Sequence, residues 1–188
     1  MQKSLLWTGR EYYSLENCLI ASTEIGHEIN STIVGHYQNK IYTANYFIQT
    51  GNDWLTNSLK LNYQVNNKQY RLELEHNANN EWILNNKSMN EFDDCLYVDI
   101  SITPFTNTLP VNNLQLALNE QQKIKVIYIN IFEQQVQVVE QMYKRLSNTK
   151  YLYQNVPNNF EAEIEFDEFG FVIDYPYLFE RTAAIKFN

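Results

Sequence analysis

The 188-residue chain is poor in cysteine, histidine, glycine and positive charge, and each shortage excludes something. Cys18 and Cys95 are far apart and form no CxxC pair, and His27, His36 and His76 are dispersed. No metal site is expected, and the thiols read as free and buried. The five glycines, Gly9, Gly26, Gly35, Gly51 and Gly170, never cluster. Neither a phosphate-binding loop nor a dinucleotide fingerprint can be built from them, so no cofactor is expected. G-x-S-x-G is absent, and His27-Glu28 opens an H-E-x-x-H pattern whose second histidine is missing.

Lys and Arg number 14 against 22 Asp and Glu, a net charge of −8. That balance excludes nucleic acid as a partner, because a phosphate backbone demands a dense basic stripe. An anionic membrane surface is disfavoured for the same reason. The longest apolar run, Ile124 to Phe132, is broken by Lys125 and Asn130. It falls well short of the roughly 20 residues of a membrane-spanning helix. The segment before Thr8-Gly9-Arg10 lacks the apolar core of about 7–15 residues that a secretory signal needs, so a cytoplasmic location is expected. No Pro-rich or Gly/Ser-rich linker interrupts the chain, and a single domain over 1–188 is expected.

What is abundant is aromatic and asparagine. Fourteen Tyr, ten Phe and three Trp are spread along the chain. Leu59–Val65 and Tyr70–Glu75 alternate apolar with polar, separated by Asn66-Asn67. Asn77-Ala78-Asn79-Asn80 then turns, Trp82–Leu84 follows, and Asn85-Asn86 turns again. Alternation with breaks at this interval predicts antiparallel strands, and asparagine tolerates the positive φ of tight hairpins. Further strands are expected at Ser31–Gln38, Lys40–Gln49, Leu96–Ile102, Lys123–Ile131 and Ala162–Phe166. One helix is expected over about 106–116, with Thr106 or Asn107 as N-cap, Pro110 early, and Leu109, Val111, Leu114 and Leu116 as its apolar side. The segment 135–146 satisfies both periods. Phe132, Val136, Val139, Tyr143 and Leu146 have helical spacing, while the Val and Tyr content favours strand.

Carboxylates are the main candidates for chemistry. Asp53 abuts Trp54, Asp99 interrupts the apolar run 96–102, Asp167-Glu168 precede Phe169-Gly170, and Asp174 precedes Tyr175-Pro176. Two of these five across a cleft could hydrolyse a glycosidic bond. Asp53, Asp167 and Glu168 also read as turn residues, and Asp99 as a tie to a neighbouring turn or the Thr106–Thr108 cap, the reading we favour for it. Trp7, Trp54 and Trp82 either pack the core or stack on a sugar ring.

Two stretches go beyond generic pattern: Asp99-Ile100-Ser101-Ile102-Thr103-Pro104-Phe105-Thr106-Asn107-Thr108-Leu109-Pro110, and the run from Phe166 to Arg181. With weaker matches at Trp7–Glu11, Asp53–Thr56, Gln141–Tyr143 and Tyr151–Tyr153, they resemble the Putative glycolipid-binding family, formerly a domain of unknown function. Tyr177 departs from the small residue expected after Pro176. The resemblance implies a mainly β fold, a many-stranded antiparallel sheet rolled as a spiral or half-barrel around a single helix, similar to bacterial lipoprotein carriers. It also implies a homodimer, and it tips 135–146 toward strand.

The resemblance brings no catalytic residues. It implies an amphiphile such as a glycolipid, held between sheet and helix without chemistry, with a role in glycolipid metabolism or transport. The expected ligand-binding residues are Trp7, Asp53, Trp54, Trp82, Asp99 and Tyr175. Thr103, Pro104, Phe105, Thr106, Asn107, Asp167, Gly170, Asp174, Pro176 and Arg181 are expected to hold the fold, with Asp99 and Arg181 bracing the turns around the helix. The alternatives are an enzyme that acts on such a lipid through paired carboxylates, and a structural protein with a filled core.

Overall fold

The computed structural model describes residues 2–79, 81–157 and 159–187. Eight strands form a first meander: β1 (Gln2–Gly9), β2 (Ser14–Ser22), β3 (His27–Tyr37), β4 (Lys40–Thr50), β5 (Thr56–Val65), β6 (Lys68–His76), β7 (Trp82–Leu84) and β8 (Lys87–Ser88). β9 (Tyr97–Ile100) follows. The second meander is β10 (Gln121–Asn130), β11 (Gln135–Arg145), β12 (Lys150–Val156), β13 (Glu161–Phe166), β14 (Val172–Tyr175) and β15 (Phe179–Phe187). All belong to one sheet, ordered β8 to β1, then β15 down to β9. The β1–β15 pairing, Gln2 opposite Phe187 through Gly9 opposite Phe179, is the seam between the two meanders.

Every pairing is antiparallel except β9 with β10. That exception explains the helix. Parallel neighbours cannot be joined by a tight hairpin and need a crossover. Here the crossover is a 3-10 turn, Phe105–Asn107, running into α1 (Thr108–Leu114). The helix is shorter than the expected 106–116 and ends where Gln115 turns left-handed, with φ 45°. Leu109, Val111 and Leu116 are nevertheless buried as expected.

The sheet is not closed, but β9 returns against the start of β5. The Thr56 amide donates to the Leu96 carbonyl at 3.1 Å, and the Val98 amide donates to Thr56 Oγ1 at 3.3 Å. A rolled sheet with the crossover inside it results.

The segment 135–146 is strand β11, paired along its length with β10. The asparagine turns behave as expected, with φ of 53° at Asn66, 47° at Asn85 and 67° at Asn86. Their side chains add a second reason for the residue: Asn66 Oδ1 accepts from the Ile41 amide and Asn85 Oδ1 from the Glu73 amide. Asn77 Oδ1 likewise accepts from the amides of Asn79 and Glu81, while Asn80 lies outside the described residues.

Tyr177, in the β14–β15 turn, has φ 68° and is 85% exposed. A left-handed backbone is costly for any residue with a Cβ, which gives the small residue at this position its physical reason. Tyr177→Gly is expected to raise stability by about 0.5–1 kcal/mol. Urea unfolding measures it, and a glycine variant less stable than the parent would refute the strain argument.

Candidate functional site

The motif 99–107 fastens the crossover to the roll by side chains rather than by an N-cap. Thr103 Oγ1 accepts from the Phe105 amide at 3.0 Å one residue ahead of Pro104, which stands at the N-cap of the 3-10 turn, while neither Thr106 nor Asn107 caps α1. The helix is entered through another helical turn, so the cap moves upstream, a correction to the expected N-cap. Thr106 Oγ1 instead donates to Asp99 Oδ1 at 2.7 Å, and Asn107 Oδ1 accepts from the Tyr143 hydroxyl at 2.8 Å. Thr103 Oγ1 also donates to Glu16 Oε1 at 2.9 Å. Three side chains thus tie the crossover to β2, β9 and β11. Phe105 is fully buried, and Pro104 precedes it with φ −79°.

Beside this segment lies a cavity of about 390 Å³, open on one side. β9 and the crossover supply Asp99, Ile100, Ser101, Thr103 and Asn107. β10 and β11 supply Tyr128, Gln137, Val139, Glu140 and Gln141, and Tyr153, Asn155, Val156 and Phe160 come from β12 and the loop after it. Tyr175, Leu178 and Phe179 complete it from the β14–β15 hairpin, with Glu11 and Tyr12 from the β1–β2 turn. The aromatic side chains form one chain of contacts. Phe160, Tyr153 and Tyr175 meet with centroids 6.1–6.3 Å apart, Tyr175 meets Phe179 at 6.2 Å, and Phe179 stacks on Tyr12 at 5.7 Å.

Asp99 contributes a buried carboxylate to this wall, which Glu11 and Glu140 also line. Oδ1 accepts from Thr106, and Oδ2 accepts from Gln141 Nε2 at 2.7 Å. Burial raises its pKa, against the pull of both hydrogen bonds. Burial also raises the phenols of Tyr128, to about 12, and of Tyr153 and Tyr175, and the negative charge at Asp99 adds to all three. These tyrosines stay protonated near neutral pH and serve as hydrogen-bond donors, not bases. Among the described residues, no histidine, lysine or arginine lines the cavity. Aromatic faces beside amides, hydroxyls and a carboxylate suit a polar, ring-shaped ligand.

Of the six expected ligand residues, Asp99 and Tyr175 line this cavity and the other four lie elsewhere. Trp7 is fully buried and its indole N–H donates to the Val172 carbonyl at 2.9 Å. Trp82 is equally buried and donates to the Cys95 carbonyl at 2.9 Å. Trp54 stacks on His27 at 3.9 Å where β9 meets β5. Asp53 turns the chain there, its Oδ1 accepting from the Leu55 amide, and its carbonyl receives Asn113 Nδ2 from α1.

The other motif residues hold turns. Asp167 Oδ1 accepts from the amides of Phe169 and Phe171, and Oδ2 pairs with Arg181 at 2.6 Å, largely out of solvent. Arg181 therefore braces the β13–β14 turn. That turn reaches α1, because Asn112 Nδ2 donates to the Phe169 carbonyl. Gly170 has φ 76°, and a Cβ there would fall 2.1 Å from Asn112 Oδ1. Asp174 pairs with Arg10 at 2.9 Å, and Pro176 sits in the β14–β15 turn. Of the five carboxylates considered for hydrolysis, Asp99 alone reaches the cavity.

Sequence reasoning passed over Tyr12, Tyr128, Gln141, Tyr153, Phe160 and Phe179. Gln141 and Tyr153 fall inside the weaker matches, which was the available signal. It also passed over Glu16, fully buried below the crossover, with Oε1 accepting from Ser31, Tyr46 and Thr103 and Oε2 without a partner among the described residues. Cys18 and Ile20 point inward on the same strand, and that phase places Glu16 inward too.

Comparison with known proteins agrees with this architecture. A crystal structure of a DUF1089-family protein from Pseudomonas aeruginosa superposes with a TM-score of 0.78 at 29% identity, covering 89% of this chain and 91% of that one. No curated protein matches the chain. The profile described as "Putative glycolipid-binding" matches residues 4–181. By that match, spanning nearly the whole rolled sheet and its crossover, the chain belongs to the Putative glycolipid-binding family.

Proposed function

We propose that the chain binds the sugar head of a glycolipid in this cavity, as a carrier in the metabolism or transport of such lipids rather than as a catalyst. The observation that carries this reading is the lining itself. An unbroken aromatic wall, from Phe160 to Tyr12, stands with Asp99, Gln141 and Asn107 in one cavity. Sugar rings stack their C–H faces on aromatic rings and share their hydroxyls with carboxylates and amides. The volume lies at the small end of the roughly 300–1,000 Å³ of ligand pockets, enough for a headgroup and the start of a chain. Ile100, Val139, Val156 and Leu178 offer apolar surface for that start. Each methylene buried there contributes about 0.8 kcal/mol.

Native mass spectrometry of protein purified without detergent tests this. A retained lipid, or an adduct on adding octyl glucoside, is expected, and Tyr153→Ala with Tyr175→Ala should remove it. Absence of any adduct in the parent would sink the reading. The same spectra report the homodimer that belongs to this proposal. Tyr13, Leu15, Val34 and Ile41, exposed on β2–β4 and the turn before them, would supply its surface.

A further inference from the structure

The cavity is one-sided in charge. Glu11, Asp99 and Glu140 line it and no cationic side chain does. Glu140 is answered by Lys123 at 3.1 Å, outside the lining. Asp99 has no such answer. Its two hydrogen bonds come from a neutral hydroxyl and a neutral amide, and no cation contributes to its surroundings. A carboxylate offers about four acceptor positions, and two are used here. Taking such a group out of water without a counter-charge is costly, and a cation from outside would offset that cost. Tyr128, Tyr153 and Tyr175 line the same cavity as Asp99, and aromatic rings add to the attraction of a cation. Among the described residues no group of three His, Cys, Asp or Glu side chains is placed to hold a metal ion, and Asp99 by itself falls short of the several oxygen ligands a divalent metal needs. A phosphate, sulfate or uronic acid would set a like charge against Asp99.

We propose that the group seated in this cavity carries a protonated amine set against Asp99, so that the preferred ligand is an amino sugar or another organic ammonium, and anionic headgroups are rejected. The inference rests on reading the cavity as a headgroup site, and its test separates the two. Calorimetric titration compares octyl glucoside, its 2-amino-2-deoxy analogue, octyl glucuronide and octyltrimethylammonium.

The amino glucoside is expected to bind at least tenfold tighter than the neutral one, with no measurable uptake of the glucuronide. Asp99→Asn, which keeps the shape, should bring the amino-to-neutral ratio close to one. A ratio near one in the parent protein overturns the proposal, as does a tenfold ratio that survives Asp99→Asn. Should the variant fail to fold, the parent ratio and the glucuronide arm decide alone. Binding of octyltrimethylammonium with none of the glycosides would uphold the ammonium site and refute the sugar reading. Binding of none of the four would refute both.

Discussion

Glu16→Gln is expected to make the protein more stable at pH 8 by about 3 kcal/mol while leaving its stability at pH 5 within about 1 kcal/mol of the parent. Burial pushes the Glu16 carboxyl up to about 7 from an ordinary 4.5, against the hydroxyls of Ser31, Tyr46 and Thr103, which pull it down. A carboxyl whose folded pKa is raised favours the fold in its protonated form. That stability is complete below 4.5 and is lost as the pH climbs through 7. Glutamine keeps an oxygen for the three hydroxyls and removes the ionisation. Urea unfolding at both pH values checks it, and parallel pH profiles for parent and variant would contradict the assignment. Glu16→Ala should instead cost roughly 3–5 kcal/mol at pH 5, where it takes the shared acceptor from three buried hydroxyls, and about 2–3 kcal/mol less at pH 8, where it also removes the ionisation.

Trp7→Ala is the other large effect, at about 3–5 kcal/mol. Trp7 is fully buried at the β1–β15 seam, next to a break in register between Leu6 and Trp7. Its indole reaches past β15 to the Val172 carbonyl on β14. The substitution leaves a cavity and an unpaired carbonyl at the junction that holds the two meanders together. A fall in Tm of roughly 6–20 °C follows for a chain of this size. Trp7→Phe, which keeps the ring and loses the N–H, should cost less than half as much. Equal losses for the two variants would show that packing of the indole is not what matters there.

The hairpins were plain in the sequence because their period is short and their turns are chemically marked. Leu59–Val65 and Tyr70–Glu75 became paired strands, and Asn66 between them took the positive φ its short side chain tolerates. Strands β1 and β2 were not among the expected ones, although Trp7–Glu11 figured in the family likeness. The helix was visible, but not its end or its cap. Both depend on the crossover lying inside the roll, where Thr103 can reach Glu16 from 87 residues away.

The site was less readable for a related reason. Its wall is assembled from residues on six separate segments, and nothing local marks Tyr128 or Phe179 as facing a cavity. Asp99 stood out because an acid in an apolar strand is locally inconsistent, and such inconsistencies gather at functional positions. Trp7 and Trp82 stood out for the opposite reason. Large size suggested a ligand platform, yet each indole N–H finds a main-chain carbonyl and the rings fill the core.

Thr103 and Asn107 both line the cavity and fasten the crossover, whereas Tyr153, Phe160 and Phe179 line it without any role in that fastening. The two halves of the wall therefore differ in evolutionary freedom. Under the proposed binding role, a change at Phe160, on the exposed rim of the aromatic side, alters what is bound at little cost to the roll. A change on the crossover side loosens the roll before it can alter the ligand. On that same proposal, new specificities in this scaffold are open to drift from the rim after β12, while the crossover acts as a fixed reference against which they are selected.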